Sequence, residues 1–127
     1  MLNKTEKRWF GFQYDHVMKE SYEVEMVTHT MDPKVELGEF VWVRDRSAEV
    51  ETGNLVVVRL LGEGDSILTY VKKFISKTSK ELVLEQINPP VGHDAILRFP
   101  ADRVLTVHRA AQWGERTDPS CRLYMAS

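Results

Sequence analysis

The chain has few of the residues that form covalent or metal cross-links. It contains one cysteine in 127 residues, Cys121, so an internal disulfide cannot form. A chain without disulfides fits a reducing compartment, and we expect a cytoplasmic location. The four histidines show no metal-ligand spacing with one another or with a cysteine. We therefore expect neither a metal ion nor any other cofactor.

Long apolar runs and a large net charge are also missing. No stretch approaches the roughly 18 apolar residues of a membrane span, so we expect no membrane partner. The first ten residues, MLNKTEKRWF, have no apolar signal-peptide core. The formal net charge is −2. A slightly acidic chain is poorly suited to binding a phosphate backbone by itself.

What the sequence does contain is apolar and polar residues in alternation, the pattern of half-buried strands. Strands are expected in WFGFQY, YEVEMVTH, EFVWVRD, LVVVRLL, SILTYVKKFIS, ELVLEQI, AILRFP and RVLTVHRAAQW. The last of these is predicted as one strand over Arg103–Trp113. Turn residues such as GEGD at 62–65 separate the strands. The pattern predicts a single, mainly β domain that is compact and barrel-like, with about seven to nine short strands.

Five short motifs then follow in a particular order: HTMDP, GEFVWV, GNLVVVRL, YVKKF and LVLEQINPP. In this order they resemble the C-terminal domain of LexA-like and lambdoid phage repressors, a β-domain of the signal-peptidase type. The closing AAQWGERTDP resembles the end of lambdoid repressors. The resemblance covers residues 22–118, which we expect to form the peptidase-like oligomerisation domain. Residues 1–21 would be a strand or linker remnant, and residues 119–127 a tail.

The resemblance implies a catalytic pair. In that family a serine hydroxyl is the nucleophile and a buried lysine is the base, and together they cut an Ala-Gly or Cys-Gly bond in the protein's own linker. By position these roles fall on Thr30 and Lys72. Alternation alone does not choose between Lys72 and Lys73. The alternatives are that Thr30 only hydrogen-bonds its own turn and that Lys72 is a solvated strand lysine.

Two departures from the family pattern bear on activity. The β-methyl of a threonine stiffens χ1 and crowds an approaching carbonyl group. The chain also has no Ala-Gly or Cys-Gly pair. We therefore expect a site that is inactive or slow. If it is active, the resemblance implies an autoproteolytic peptidase.

The resemblance also implies that the main partner is a second copy of the chain, in a homodimer or a higher oligomer. The candidate interface residues are Arg103, Leu105, Val107 and Trp113. For Trp113, packing in the core is the alternative. DNA would be contacted only through an N-terminal helix-turn-helix domain, which the residues before Tyr22 are too few to form. We expect a repressor half or a naturally headless protein, with the RecA filament as a candidate inducer.

Three other functions remain open at this point. The pair could cut its own longer chain or a peptide in trans. A headless chain could resemble the UmuD mutagenesis protein, which uses such a domain to contact a polymerase. Outside this family, a small β-barrel could bind nucleic acid or a ligand through its turns. One such turn carries a basic hairpin formed by Lys72, Lys73, Lys77 and Lys80.

Overall fold

The structure is a computed structural model that describes residues 21–115 and 124–126. These residues form nine strands and one short 3-10 helix, Ala101–Arg103. The strands are β1 (Tyr22–Met26), β2 (Phe40–Val43), β3 (Leu55–Leu61), β4 (Ile67–Lys77), β5 (Glu81–Glu85), β6 (Ile96–Pro100), β7 (Val104–Arg109), β8 (Gln112–Gly114) and β9 (Tyr124–Ala126). The mainly β class is confirmed. The predicted strand in WFGFQY and most of the predicted remnant at 1–21 lie outside the described residues.

The nine strands form two sheets instead of one closed barrel. The first sheet has the order β8-β2-β1-β9, and the second has the order β6-β5-β4-β3-β7. Neighbouring strands are antiparallel except for β1 and β9, which are parallel. Within residues 21–115 and 124–126, β7 and β6 are therefore the edges of the second sheet, and β8 and β9 are the edges of the first.

Strand β3 explains how the sheets pack, because both of its faces are buried. Leu55 and Val57 belong to a core cluster shared with the first sheet, where Val24 and Met26 are fully buried. The alternate residues of β3 belong to a second cluster on the opposite face. Burying such side chains contributes roughly 1.5–3 kcal/mol each. The near-continuous apolar run LVVVRLL, unusual for an antiparallel strand, follows from this double burial.

The predicted strand Arg103–Trp113 is wrong as a single element. Strand β7 ends at Arg109, and the chain then crosses to the first sheet. The N–H of Ala110 donates to the carbonyl of Leu55 at 2.9 Å, and the N–H of Ala111 donates to the carbonyl of Trp42 at 2.7 Å. Strand β8 begins immediately afterwards. Strands β7 and β8 each turn one face towards a core, so apolar and polar residues alternate in both. The sequence pattern therefore does not show where the chain passes from one sheet to the other.

The predicted tail, residues 119–127, contains a strand. Residues 124–126 form β9, which pairs with β1 in the register Val24↔Tyr124, Glu25↔Met125 and Met26↔Ala126. A three-residue strand is too short to show a period, which is why the sequence pattern did not predict it.

Candidate functional site: a threonine–lysine pair

Thr30 lies in a loop that leaves β1 and returns into β2. The two ends of the loop are joined by backbone hydrogen bonds, from Met26 N–H to the Glu39 carbonyl and from Gly38 N–H to the Met26 carbonyl, both at 2.8 Å. Gly38 has φ +91°, a conformation that residues with a Cβ rarely adopt. Within the loop Met31 is fully buried in the core cluster between the sheets. The side chain next to Thr30 therefore anchors the loop.

A second attachment comes from the segment that follows β5. The N–H of Asn88 donates to the carbonyl of Thr30 at 2.8 Å. Its side-chain amide donates to the carbonyl of His29, also at 2.8 Å. Asn88 is therefore a positioning residue for the loop, which sequence reasoning did not identify. The available signal was the position of Asn88 in the LVLEQINPP motif.

Lys72 lies in the middle of β4, opposite Val56 of β3. Its side chain is almost entirely inside the protein, with a relative exposure of 2%. The amine Nζ donates to Thr30 Oγ1 at 2.9 Å, and it lies 5.4 Å from the centre of the Tyr70 ring. The structure therefore brings together the two residues that were predicted as a pair, forty-two positions apart in the chain.

The structure also distinguishes Lys72 from its neighbour. Lys73 points to the opposite face of β4 and is partly exposed. Its amine Nζ lies 3.6 Å from Glu85 Oε1. Of these two lysines, only Lys72 is buried beside a hydroxyl group. Alternation could not make this choice, because both faces of β4 contain apolar residues.

Burial changes the acid–base properties of Lys72. Desolvation disfavours the charged amine and lowers the pKa of Lys72 from 10.5 to about 8. With a pKa near 8, about one tenth of the amine is neutral at pH 7, against less than about one thousandth at the ordinary value. The charged amine can only donate to Thr30, whereas the neutral amine can accept its proton. The arrangement can therefore support general-base chemistry on a hydroxyl group.

Thr28 is a further residue of the site that sequence reasoning missed. Its Oγ1 lies 2.9 Å from Thr30 Oγ1, and it also accepts a long hydrogen bond from the Thr30 N–H at 3.4 Å. The Thr30 hydroxyl therefore lies between the Thr28 hydroxyl and the Lys72 amine. The two readings of Thr30 are not exclusive, because it bonds its own loop and contacts Lys72. The available signal was a second hydroxyl residue two positions earlier.

His29 and Asp32 lie in the same loop as Thr30, and their side chains contact each other. His29 Nδ1 lies 2.8 Å from Asp32 Oδ2, and the histidine side chain is mostly exposed. The peptide bond between Asp32 and Pro33 is cis. Within residues 21–115 and 124–126, no group of three or more His, Cys, Asp or Glu side chains could hold a metal ion.

The four candidate interface residues are distributed over two sheets. Leu105, which is 44% exposed, and Val107, half-buried against the second core cluster, lie on the edge strand β7. Arg103 precedes β7 and donates from Nε and Nη2 to the carbonyl of Leu61, at 2.9 and 2.8 Å. Trp113 lies instead on β8 in the first sheet, with the amine of Lys34 5.0 Å from its ring centre. Trp113 and Leu105 therefore do not share a strand.

In the described part of the chain, no helix is long and apolar enough to cross a bilayer. We compared the chain with protein-family models, with curated proteins and with solved structures, and found no match in any of the three.

Proposed function

We propose that this chain is the C-terminal domain of a LexA-like repressor. In this proposal it holds repressor dimers together, and Thr30 and Lys72 form a peptidase-like pair that cuts slowly or not at all. The main support is the 2.9 Å contact between the buried Lys72 amine and the Thr30 hydroxyl. The order of the five motifs is the second support.

The chemistry available to the pair is acyl transfer. Neutral Lys72 takes the proton from Thr30 as Oγ1 attacks the carbonyl carbon of a peptide bond. The C–N bond then breaks, and Lys72 returns the proton to the departing amine. Water hydrolyses the resulting ester, which releases the new carboxyl group and restores the Thr30 hydroxyl. Serine–lysine pairs are a recognised variant of triad catalysis.

Threonine is the reason to expect slow cutting. Its β-methyl restricts χ1 and occupies space next to the nucleophilic oxygen. A misplacement of ~1 Å at a reacting centre can lower the rate on the order of 100-fold. The distance from Lys72 Nζ to Thr30 Oγ1 is that of an ordinary hydrogen bond. We therefore expect the methyl group to slow the attack on the carbonyl carbon and not the proton transfer to Lys72.

Dimerisation is supported by the exposed edge of the second sheet. Among the strands that the structure describes, β7 pairs with β3 alone, and Leu105 on β7 is exposed. Two such edges can pair across a two-fold axis and cover their free backbone groups. A dimer raises the effective concentration of two attached DNA-reading domains, which strengthens binding without new base contacts.

The nucleic-acid alternative is weakened by the positions of the lysines. In the basic hairpin, Lys72 is buried and Lys73 lies beside the carboxylate of Glu85. Phosphate contacts are made by accessible cations. The hairpin therefore presents fewer free positive charges than its sequence indicates.

The cleavage test compares the wild-type chain with Thr30→Ser. Each is incubated from pH 7 to pH 10 with a linker peptide that contains an Ala-Gly bond, and fragments are measured by mass spectrometry. We expect Thr30→Ser to cut roughly 100-fold faster than the wild type, and faster as Lys72 loses its proton. Thr30→Ser/Lys72→Ala is the matched control and should not cut. A folded Thr30→Ser variant that leaves the peptide intact even at pH 9 would remove the peptidase-like role.

The second test is sedimentation at micromolar concentration. We expect a dimer in the wild type and a monomer in Leu105→Glu, which places a charge on the exposed edge. A substitution on the other exposed edge, Ile96→Glu on β6, serves as the matched control and should leave the dimer intact. A wild-type chain that sediments only as a monomer argues against the oligomerisation role.

A further inference from the structure

We propose that a cluster of arginine, histidine and threonine side chains between the two sheets binds a phosphate group. The group would be a free phosphate ion or the end of a small phosphate ester. The Arg46 cluster, which comes from the loop after β2 and from strands β3 and β7, consists of Arg46, Arg59, Thr106 and His108. It contains neither member of the Thr30–Lys72 pair.

The register of β3 and β7 places three members of the cluster on one face of the second sheet. Arg59 of β3 lies directly opposite Thr106 of β7, and Val57 lies opposite His108. Residues two positions apart on a strand share a face, and Val57 belongs to the core cluster shared with the first sheet. The side chains that point into the space between the sheets therefore include those of Arg59, Thr106 and His108.

Arg46 reaches the same place from the loop that follows β2. Its guanidinium carbon Cζ lies 4.9 Å from the centre of the Tyr22 ring. The Tyr22 hydroxyl in turn lies 2.6 Å from His108 Nδ1. Burial lowers the pKa of His108, and the charges of Arg46 and Arg59 lower it further. Because charge interactions weaken with distance, this effect places both guanidinium groups near the imidazole ring.

Two donors of the cluster have no hydrogen-bond partner among the residues that the structure describes. They are Arg46 Nε and Thr106 Oγ1, and both atoms are buried. Buried polar groups in folded proteins are almost always hydrogen-bonded. In the described part of the chain, no carboxylate lies within salt-bridge distance of Arg46. An arginine cannot become neutral by releasing a proton, so a bound anion is the partner that would satisfy Arg46.

The donors of the cluster favour a phosphate group over other anions. A guanidinium group presents parallel N–H donors that match two oxygens of a phosphate or a carboxylate. A phosphate ester carries a charge of about −1.5 to −2 near pH 7, which is closer to the combined charge of two arginines than a carboxylate is. Its further oxygens can accept from the Thr106 hydroxyl. Arg46, Arg59 and Thr106 are each only half-buried, so a small ion can reach them from solvent.

The test follows His108 by NMR as sodium phosphate replaces sodium chloride at constant ionic strength. A bound phosphate offsets the two guanidinium charges, so the pKa of His108 should rise with phosphate concentration. The imidazole Cε1–H signal reports this pKa, and the signal missing from the spectrum of His108→Gln assigns it. Sodium acetate should raise the pKa much less, because a carboxylate carries a smaller charge and fewer acceptor oxygens.

Two variants locate the binding on the cluster. Arg46→Gln removes a charged donor and should weaken phosphate binding by about tenfold or more. Arg44→Gln is the matched control, because Arg44 is exposed and donates to Gln112 instead; it should bind phosphate as the wild type does. Thr106→Val removes only the hydroxyl group and should weaken binding severalfold. It keeps the proposal testable if Arg46→Gln does not fold.

Adenosine monophosphate distinguishes the two sources of the phosphate group. A response to inorganic phosphate alone means that the cluster holds the free ion, and a response to both means that it accepts an ester; either result supports the site. A pKa of His108 that does not rise at tens of millimolar phosphate overturns the proposal. An equal response in Arg46→Gln, Thr106→Val and the wild type also overturns it. None of these results depends on whether Thr30 cuts a peptide.

Discussion

Replacing the buried lysine should stabilise the fold at neutral pH. Burial lowers the pKa of Lys72 from 10.5 to about 8. At about 1.36 kcal/mol for each pH unit between these values, the folded state disfavours the charged amine by at most about 3 kcal/mol at pH 7. Lys72→Met keeps a similar length and removes the charge. It also removes the bond to Thr30, worth about 1 kcal/mol. We therefore expect a net gain in unfolding free energy of about 2 kcal/mol at pH 7.

The stability gained by Lys72→Met should shrink as the pH rises. In the unfolded chain Lys72 has a pKa near 10.4, above its folded value of about 8. Between these values the unfolded state binds more protons than the folded state, so wild-type stability rises with pH across this window. The advantage of Lys72→Met is therefore full below pH 8. It should disappear, or reverse slightly, near pH 10.4.

Urea unfolding monitored by circular dichroism at a series of pH values from 6 to 10.5 measures this dependence. Lys73→Met is the matched control, because Lys73 is the next residue, is partly exposed, and lies beside Glu85. This surface substitution should change the unfolding free energy by no more than about 0.5 kcal/mol at every pH. A Lys72→Met variant that is less stable than the wild type at pH 7, or whose advantage does not shrink as pH rises, would refute the reasoning about burial.

Three other substitutions test buried contacts in the core and beneath the Thr30 loop. The Tyr22 hydroxyl lies 2.6 Å from His108 Nδ1 in a buried contact, so Tyr22→Phe should lower the unfolding free energy by about 1–3 kcal/mol in urea titrations. Burial and the charges of Arg46 and Arg59 lower the pKa of His108, so this histidine should contribute a loss of stability as pH falls below about 6.5, which His108→Gln should lack. Met31→Ala empties a fully buried position beneath the Thr30 loop and should cost about 2–5 kcal/mol by the same assay, whereas no effect would mean that Met31 does not anchor the loop.

The candidate pair illustrates what the order of short motifs can predict. Thr30 and Lys72 came from positions in an ordered set of short motifs, and the structure brings their side chains into contact. Thr28 and Asn88 did not come from that reasoning. Their contributions depend on where a hydroxyl or an amide points within a folded loop, and a one-dimensional pattern carries no such direction.

Alternation also does not show whether the rest of the protein covers the polar face of a strand. In β1 alternation assigns Glu23 to the face opposite Tyr22 and Val24, and this glutamate has a relative exposure of only 1%. Glu23 lies opposite Trp42 of β2, on the face of the first sheet away from the shared core. A period of two assigns residues to two faces, but it cannot show which of those faces the rest of the protein covers.

The sequence by itself determined the β class, the bounds of β3, and a short set of candidates for the site, because strand period and turn residues are local properties of the chain. Only the tertiary structure showed Lys72 buried beside Thr30, divided Arg103–Trp113 between two sheets, and placed β9 beside β1. Each of these depends on which strands become neighbours. Neighbours are set by packing across the whole domain, so residues far apart in sequence determine the environment of the Lys72 amine.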